Sequence, residues 1–222
     1  MSKVVNCMID ILSAVEVEKN GKKMRFWWIP TALSRPDSLC YSTISNKKTW
    51  FEWCGEVDQL EKVYVPVLAK RHWFLAVINM FEKKVNVFDN FSIPSYLLCG
   101  GIIMSMLCSM DNAFSEQFKK VYGSDFSFTQ FSISEPISHR YKCVDYDCSV
   151  YVTRMLLQEY VKGVLGDEAD DVVDDYVPGI PIRIGPLYVP REFDWKVIGA
   201  LILTSSLNKR RDFIIEKASC VC

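Results

Sequence analysis

Residues Arg71–Asn90 read RHWFLAVINMFEKKVNVFDN. Two runs of aliphatic, β-branched and aromatic residues, Trp73–Phe81 and Val85–Asp89, flank the polar, lysine-rich Glu82-Lys83-Lys84. That is the pattern of a β-hairpin, lacking only the ideal Asn-Gly turn. His72-Trp73 opens it and Asp89-Asn90 closes it, so His72 and Asp89 lie at the same edge of an antiparallel pair. Their spacing suits two short strands and a tight turn. Side chains alternate between the faces of a strand, so a two-residue turn at Glu82-Lys83 would put both on one face, although the sequence leaves the register open. A carboxylate beside an imidazole fixes its tautomer and stabilises the imidazolium.

Further along the chain, Cys148–Val161 shows helical spacing through Val152, Met155, Leu156 and Tyr160, and Gly163 closes the run. Cys148 falls in the first turn of this helix. The helix macrodipole favours a thiolate there, and pairing with an imidazolium lowers the thiol pKa further. The thiolate is the nucleophilic form of cysteine. The chain can therefore supply base, orienter and nucleophile as His72, Asp89 and Cys148. It holds two histidines, so any Cys–His chemistry must use His72 or His139. His139, in Ser138-His139-Arg140, reads as an exposed loop residue.

The remaining pattern is mixed. Val4, Val5, Met8, Ile9, Leu12 and Val15 predict a helix from about Lys3 to Lys19, stopped by Asn20-Gly21. Arg25–Ile29 suggests a short strand before Pro30, and Thr43–Trp53 is ambiguous. Lys62–Leu68 alternates as a strand, with Pro66 arguing for an edge or a break. Phe91–Met110 carries no charge, but Pro94, Gly100-Gly101 and several serines disfavour a bilayer span of ~20 apolar residues. A loop feeding a buried helix around Ile102–Met110 is the expectation. A separate helix at Phe114–Tyr122 ends at Gly123, and Phe126, Phe128 and Phe131 suggest a strand over Phe126–Ile133. Trp27, Trp28, Trp50 and Trp53 are expected in the core. After an acidic run (Asp167, Glu168, Asp170, Asp171, Asp174, Asp175), four prolines mark extended loop. A last amphipathic helix starts near Asp194. The class is α+β, a sheet with helices packed on it.

At 222 residues the chain fits a single domain over 1–222, with 210–222 expected as a flexible tail. Half the residues are hydrophobic, enough for a sizeable core. A net charge of −1 gives no electrostatic case for nucleic acid or membrane. Nine cysteines are far below the density of a disulfide scaffold, above ~8%, and their odd number excludes complete pairing. The N-terminus lacks a signal-peptide pattern. The expectation is a reducing compartment with mostly free thiols. No CxxC spacing suggests zinc, so no metal and no cofactor is expected.

RHWFLAVINMFEKKVNVFDN followed by YDCSVYVTRML resembles the ubiquitin-like protein-specific proteases, the cysteine proteases that remove SUMO and NEDD8. That family's signature is a His-Trp opening a strand, an Asp closing the next, and Asp-Cys-Gly before a helix. The resemblance spans roughly Val4 to Leu207, though outside the two motifs it is one of pattern. It implies a papain-like, adenoviral-protease-like cysteine protease fold, with a central mixed sheet, packed helices and the nucleophile at a helix N-terminus. It implies hydrolysis after the Gly-Gly terminus of a ubiquitin-like modifier, SUMO-like before NEDD8-like, on conjugates or on the precursor. His72 then maps to the general base, Asp89 to its orienter, Cys148 to the nucleophile and Trp73 to the wall of the tunnel that admits Gly-Gly. Only glycine allows so close an approach of backbone to ring. The expected partners are the modifier and its conjugates, with no nucleic acid and no membrane. A monomer in nucleus or cytosol is expected.

Three departures from the signature matter. The family places a Gln six positions before the nucleophile as an oxyanion donor, and here that position is Lys142. Val144-Asp145-Tyr146-Asp147-Cys148-Ser149 stands where the family has Asn-Gly-x-Asp-Cys-Gly. The family's upstream Trp-Leu-(Asn/Ser)-Asp segment, whose Trp covers the other side of the tunnel, is not found ahead of the first helix. Losing one oxyanion donor costs roughly 10²–10³ in kcat, about 3–4 kcal/mol. Lys142 could donate in its place, or Asp145 or Asp147 could sequester it. The alternative is therefore an impaired pseudoprotease that binds a modifier. A thiol-redox protein would rest only on the cysteine count. Cys143 reads as a passive loop thiol, and the terminal Cys220-Val221-Cys222 does not form a C-a-a-X signal.

Overall fold

β3 (His72–Asn79) lies at the centre of a five-stranded sheet, between β2 (Lys62–Ala69) and β4 (Lys84–Phe88), antiparallel to both. β1 (Phe26–Trp28) joins parallel to β2, and β5 (Ser132–Ser134) parallel to β4. The sheet is therefore mixed, in the order β1-β2-β3-β4-β5. The helices are α1 (Ser2–Asn20), α2 (Ser95–Tyr122) and α3 (Cys148–Leu165), with a 3₁₀ turn at Phe128–Gln130. The computed structural model describes residues 2–21, 23–31, 34, 56–69, 72–89, 95–135 and 148–165. The chain forms two compact units, Met1–Val152 and Thr153–Cys222. The first holds the sheet, α1, α2 and the start of α3. Of the second, the remainder of α3 is described.

Alternation along the strands builds the main core. Val63, Val65, Phe74, Ala76, Val85 and Val87 share one face and cluster with the buried side of α2. That side, Ile103, Met106, Leu107, Met110, Phe114 and Phe118, recurs at three- and four-residue spacing. Trp27 joins it, its ring 5.7 Å from those of Phe114 and Phe118. On the other face Trp28 stacks on Tyr64 at 4.1 Å, and Leu75, Val77 and Phe88 are equally buried. α1 lies against β1. Its buried Glu16 ties the two together, accepting from Asn20 Nδ2 and the Arg25 amide, both at 2.8 Å. Gly21, at φ +60°, ends α1 with its N–H on the Val17 carbonyl.

Four sequence expectations need correction or narrowing. Of the edge or break expected at Pro66, the edge holds: β2 runs through it unbroken, with no β1 residue paired alongside. β1 reaches only Lys62, Val63 and Tyr64, and Ile29 N–H donates to the Tyr64 carbonyl. Tyr64 and, by alternation, Pro66 thus turn their backbone polar groups away from β3. The missing proline N–H removes no bond to β3, and the Pro66 carbonyl accepts from the Ser34 hydroxyl.

The second correction merges the two expected helices at Ile102–Met110 and Phe114–Tyr122 into one, starting at Ser95. Gly100 and Gly101 do not interrupt it. A Cβ at either would meet nothing within 4 Å, and each glycine costs only about 0.5–1 kcal/mol against alanine. The apolar stripe on the core outweighs that. Among the described residues no helix is long and apolar enough to cross a membrane.

The third concerns Phe126–Ile133, which is not a strand throughout. Asp111 of α2 accepts from Ser127 Oγ at 2.5 Å and from the amides of Phe128 at 2.7 Å and Thr129 at 3.3 Å. This winds the chain into the 3₁₀ turn before the short β5. The three phenylalanines are nonetheless all buried, as their pattern required. Finally, Gly163 does not close α3, which continues to Leu165. Thr43–Trp53, the acidic run, the helix near Asp194 and the tail at 210–222 lie outside the described residues.

Candidate active site

β3 begins at His72, paired with Ala69 of β2. The last pair between β3 and β4 is Leu75 with Phe88, so the next position, Asp89, falls beside Phe74 and diagonal to His72. The two strands are joined by four residues, 80–83, rather than two. That moves the register by an even number of positions, so the expected common face for His72 and Asp89 is kept. Diagonal neighbours across a strand pair lie within reach of long side chains. Here His72 Nε2 meets Asp89 Oδ1 at 2.6 Å. The carboxylate is 2% exposed and the imidazole 20%.

Cys148 is the first residue of α3, a free thiol 7% exposed. The structure brings it to the same site. Its sulfur hydrogen-bonds the His72 side chain and accepts the backbone N–H groups of Trp73 and Ser149. With Nε2 engaged by Asp89, Nδ1 is the ring nitrogen left for the sulfur. Burial by itself would lower the His72 pKa. The hydrogen bonds and charges of Asp89 and Cys148 outweigh it and raise the imidazole to about 9. Burial likewise pushes the Cys148 thiol up, but the His72 hydrogen bond and charge and the two amides overcome this and hold it below the ordinary thiol value. Both directions favour one state, a thiolate beside an imidazolium, in which both ring nitrogens donate.

Trp73 is buried, and by alternation its indole lies on the sheet face opposite to His72 and Asp89. The role of its amide at the sulfur was not read from the sequence. The only signal available was that the second strand of the hairpin is the shorter one. Lys142, His139, Cys143, Asp145 and Asp147 lie outside the described residues. Among the described residues, no three His, Cys, Asp or Glu side chains gather as a metal site.

A mixed five-stranded sheet with packed helices, carrying this Cys–His–Asp constellation, is the α+β fold of the papain-like, adenoviral-protease-like cysteine proteases. Residues 41–173, more than half of the chain, match the Ulp1 protease family, C-terminal catalytic domain. The chain belongs to that family and carries its cysteine protease domain. It is similar to the SUMO protease Ulp1 with its catalytic cysteine oxidised to a sulfonic acid: 17% identity, TM-score 0.59, 94% of this chain and 79% of that one. It is also similar to the C-terminal Ulp1 protease domain in complex with Smt3, the yeast ortholog of SUMO. There the identity is 16% and the TM-score 0.59, over 94% of this chain and 78% of that one. At such identities the likeness is one of fold. No sequence among the curated proteins matches this chain.

Proposed function

We propose that the chain is a cysteine-type (iso)peptidase that cleaves after the C-terminal Gly-Gly of a SUMO-type modifier, on conjugates or on the modifier's precursor. The observation that carries this reading is the half-buried His72–Asp89 contact at 2.6 Å beside the Cys148 sulfur at the start of α3. Membership of the Ulp1 family supports it, and so does the likeness to a Ulp1 domain bound to Smt3.

The Cys148 thiolate attacks the carbonyl carbon of the modifier's last glycine. The tetrahedral oxyanion collapses, the C–N bond breaks, and the His72 imidazolium gives its proton to the leaving amine. His72, now neutral, takes a proton from water as the hydroxyl oxygen attacks the thioester. That releases the glycine carboxylate and returns the thiolate–imidazolium pair. Asp89 holds the ring and its charge throughout. Lys142 takes the place of the oxyanion glutamine. The reaction draws on no cofactor and suits a nucleus or cytosol in which thiols stay reduced.

Lys142, Asp145 and Ser149, standing where the family has Gln and two glycines, favour a second reading as a modifier-binding pseudoprotease. SUMO and NEDD8 carrying a C-terminal propargyl or vinyl-sulfone group decide between them. The protease reading expects an adduct on Cys148 with the SUMO probe, absent in Cys148→Ala. Binding without an adduct on any probe supports the second reading, and neither binding nor adduct sinks both.

A further inference from the structure

Among the described residues, the most exposed large hydrophobic side chain is Phe81, at 75%, on the turn between β3 and β4. It does not sit on a loose loop. Asn79 Oδ1 accepts its amide and that of Glu82, both at 3.1 Å. The preceding Met80 is buried, and its amide donates to the Glu61 carbonyl at 2.9 Å. On the other side the Lys83 carbonyl accepts the Ser132 amide at 3.0 Å. Lys83 is at φ +50°, the only positive φ outside glycine among the described residues. A glycine takes that conformation freely and a lysine does not. The turn therefore keeps an ammonium group beside Phe81 at a position where the backbone disfavours any side chain. Lys84 follows and starts β4. Through Asn79 it is in register with Lys62 of β2, so Lys62 and Lys84 share a sheet face about 10 Å apart. Among the described residues neither Lys83 nor Lys84 has an ion pair, whereas the neighbouring Arg25 is matched by Glu61 at 2.6 and 2.9 Å. Glu82 is the one acid on the turn itself.

We propose that the β3–β4 turn is a docking surface for an acidic segment of a partner protein, with Phe81 as the apolar anchor and Lys83 and Lys84 meeting the segment's carboxylates. Buried aromatic anchors carry much of the energy of protein interfaces. A turn already fixed by its own hydrogen bonds has little ordering left to undergo on binding. The two unmatched ammonium groups complement carboxylates and select against basic partners. One ring and a few lysines, with Glu82 among them, suit a short acidic segment with an apolar side chain. A nucleic-acid strand would call for a cationic groove and successive stacking rings. An anionic bilayer would call for a denser cluster of basic residues. The turn lies at the opposite end of β3 from His72, about 25 Å along the strand. It can hold its partner while the catalytic end is occupied, and the proposal does not depend on the protease reading.

The test uses the full chain and a fluorescein-labelled random copolymer of glutamate and tyrosine, with labelled polyglutamate as the reference, read by fluorescence anisotropy. The parent should bind the copolymer more tightly than polyglutamate, and added salt should weaken binding. Phe81→Ser should lower the affinity about tenfold. Lys83→Gly should lower it about two- to fivefold. Its urea midpoint should stay at or above that of the parent, because glycine takes the turn's φ freely. A residue serving only the turn would not lose binding on that exchange. Lys83→Gln combined with Lys84→Gln keeps a side chain at both positions and should also weaken binding. Iodoacetamide alkylation of Cys148, followed by peptide mass, should proceed in all these variants as in the parent. A copolymer that the parent does not bind, or that Phe81→Ser binds equally well, overturns the proposal. So does tighter binding of an oligothymidylate or of phosphatidylserine vesicles than of the copolymer. Cys148→Ala should bind the copolymer as the parent does. A loss there would place the copolymer at the catalytic end and refute the proposal, while failure of every modifier probe at Cys148 would refute the protease reading alone.

Discussion

The β3–β4 hairpin ends in two opposite ways. At the closed end the backbone is satisfied locally. Asn79 Oδ1 accepts the amides of Phe81 and Glu82, each at 3.1 Å, and the Met80 amide donates to Glu61. The Lys83 carbonyl accepts the Ser132 amide at 3.0 Å, and Lys83 itself sits at φ +50°. Phe81, 75% exposed, is held out on this turn. At the open end the last pair among the described residues is Leu75 with Phe88, and His72 and Asp89 lie beyond it. There the His72 side chain engages Asp89 on one side and Cys148 on the other. The same hairpin is a finished structure at one end and a reactive one at the other, and the difference is which side chains stand there.

Removing the nucleophile should break this contrast most completely. Cys148→Ala is expected to lower hydrolysis of a modifier–amide substrate by roughly 10³-fold or more, while far-ultraviolet circular dichroism and Tm stay near those of the parent. Residual turnover close to that of the parent would remove Cys148 from the mechanism.

Asp89→Asn should come next, with kcat reduced by roughly 10²–10⁴ because the amide no longer holds the imidazolium. It also makes a prediction in pH. In the parent, kcat/KM should rise as pH passes the lowered Cys148 pKa and fall above about 9, where His72 loses the proton destined for the leaving amine. Outside each limb the fall is about tenfold per pH unit. Without the Asp89 charge the His72 pKa drops, so the alkaline limb moves down. A less charged His72 stabilises the thiolate less, so the acid limb moves up. The bell should narrow from both sides, and a displacement of the whole bell in one direction would contradict the pairing.

What could be read from the sequence divides along the same line. The hairpin and its His72–Asp89 edge were legible because a period of two and the spacing of polar ends survive any even change of register. Cys148 at a helix start was legible because a thiol followed by a helical stripe has few other readings. The direction of the Trp73 amide was not, since it depends on which pairs of β2 and β3 exchange hydrogen bonds, and composition does not carry that. The extent of α2 was hidden by two glycines whose local cost is smaller than the burial of the face beneath them. Pro66 left an edge and a break as alternatives, and the choice between them depended on the length of β1, a different segment. The turn at Phe128 was hidden because it is imposed by Asp111, a carboxylate on α2.

That carboxylate offers a structural counterpart to Asp89. Both lie close to the sheet, but Asp111 serves only a turn, accepting from two amides and a hydroxyl. Asp111→Ala should cost about 2–3 kcal/mol, given that hydrogen bonds to charged groups contribute about 1.5–3 kcal/mol each and water replaces part of what is lost. Urea denaturation should show the midpoint falling with little change in slope. The pH limits of kcat/KM should not move. A narrowed bell in this variant would mean that the 3₁₀ turn supports the catalytic end after all.

The smallest effect is expected at the closed end. Asn79→Ala removes the acceptor shared by the Phe81 and Glu82 amides, both of which are exposed and can turn to water. The loss should therefore be about 1 kcal/mol or less. It should be read as a lower urea midpoint and faster hydrogen exchange confined to residues 79–84. Alkylation of Cys148 and the pH bell should be those of the parent, because the register that aims Trp73 and Asp89 is also fixed by the eight-residue pairing of β3 with β2. If loosening the closed end instead shifted the acid limb of Cys148, β2 would not be holding the register by itself. The two ends of the hairpin would then be coupled, with the turn helping to set where the pairing stops.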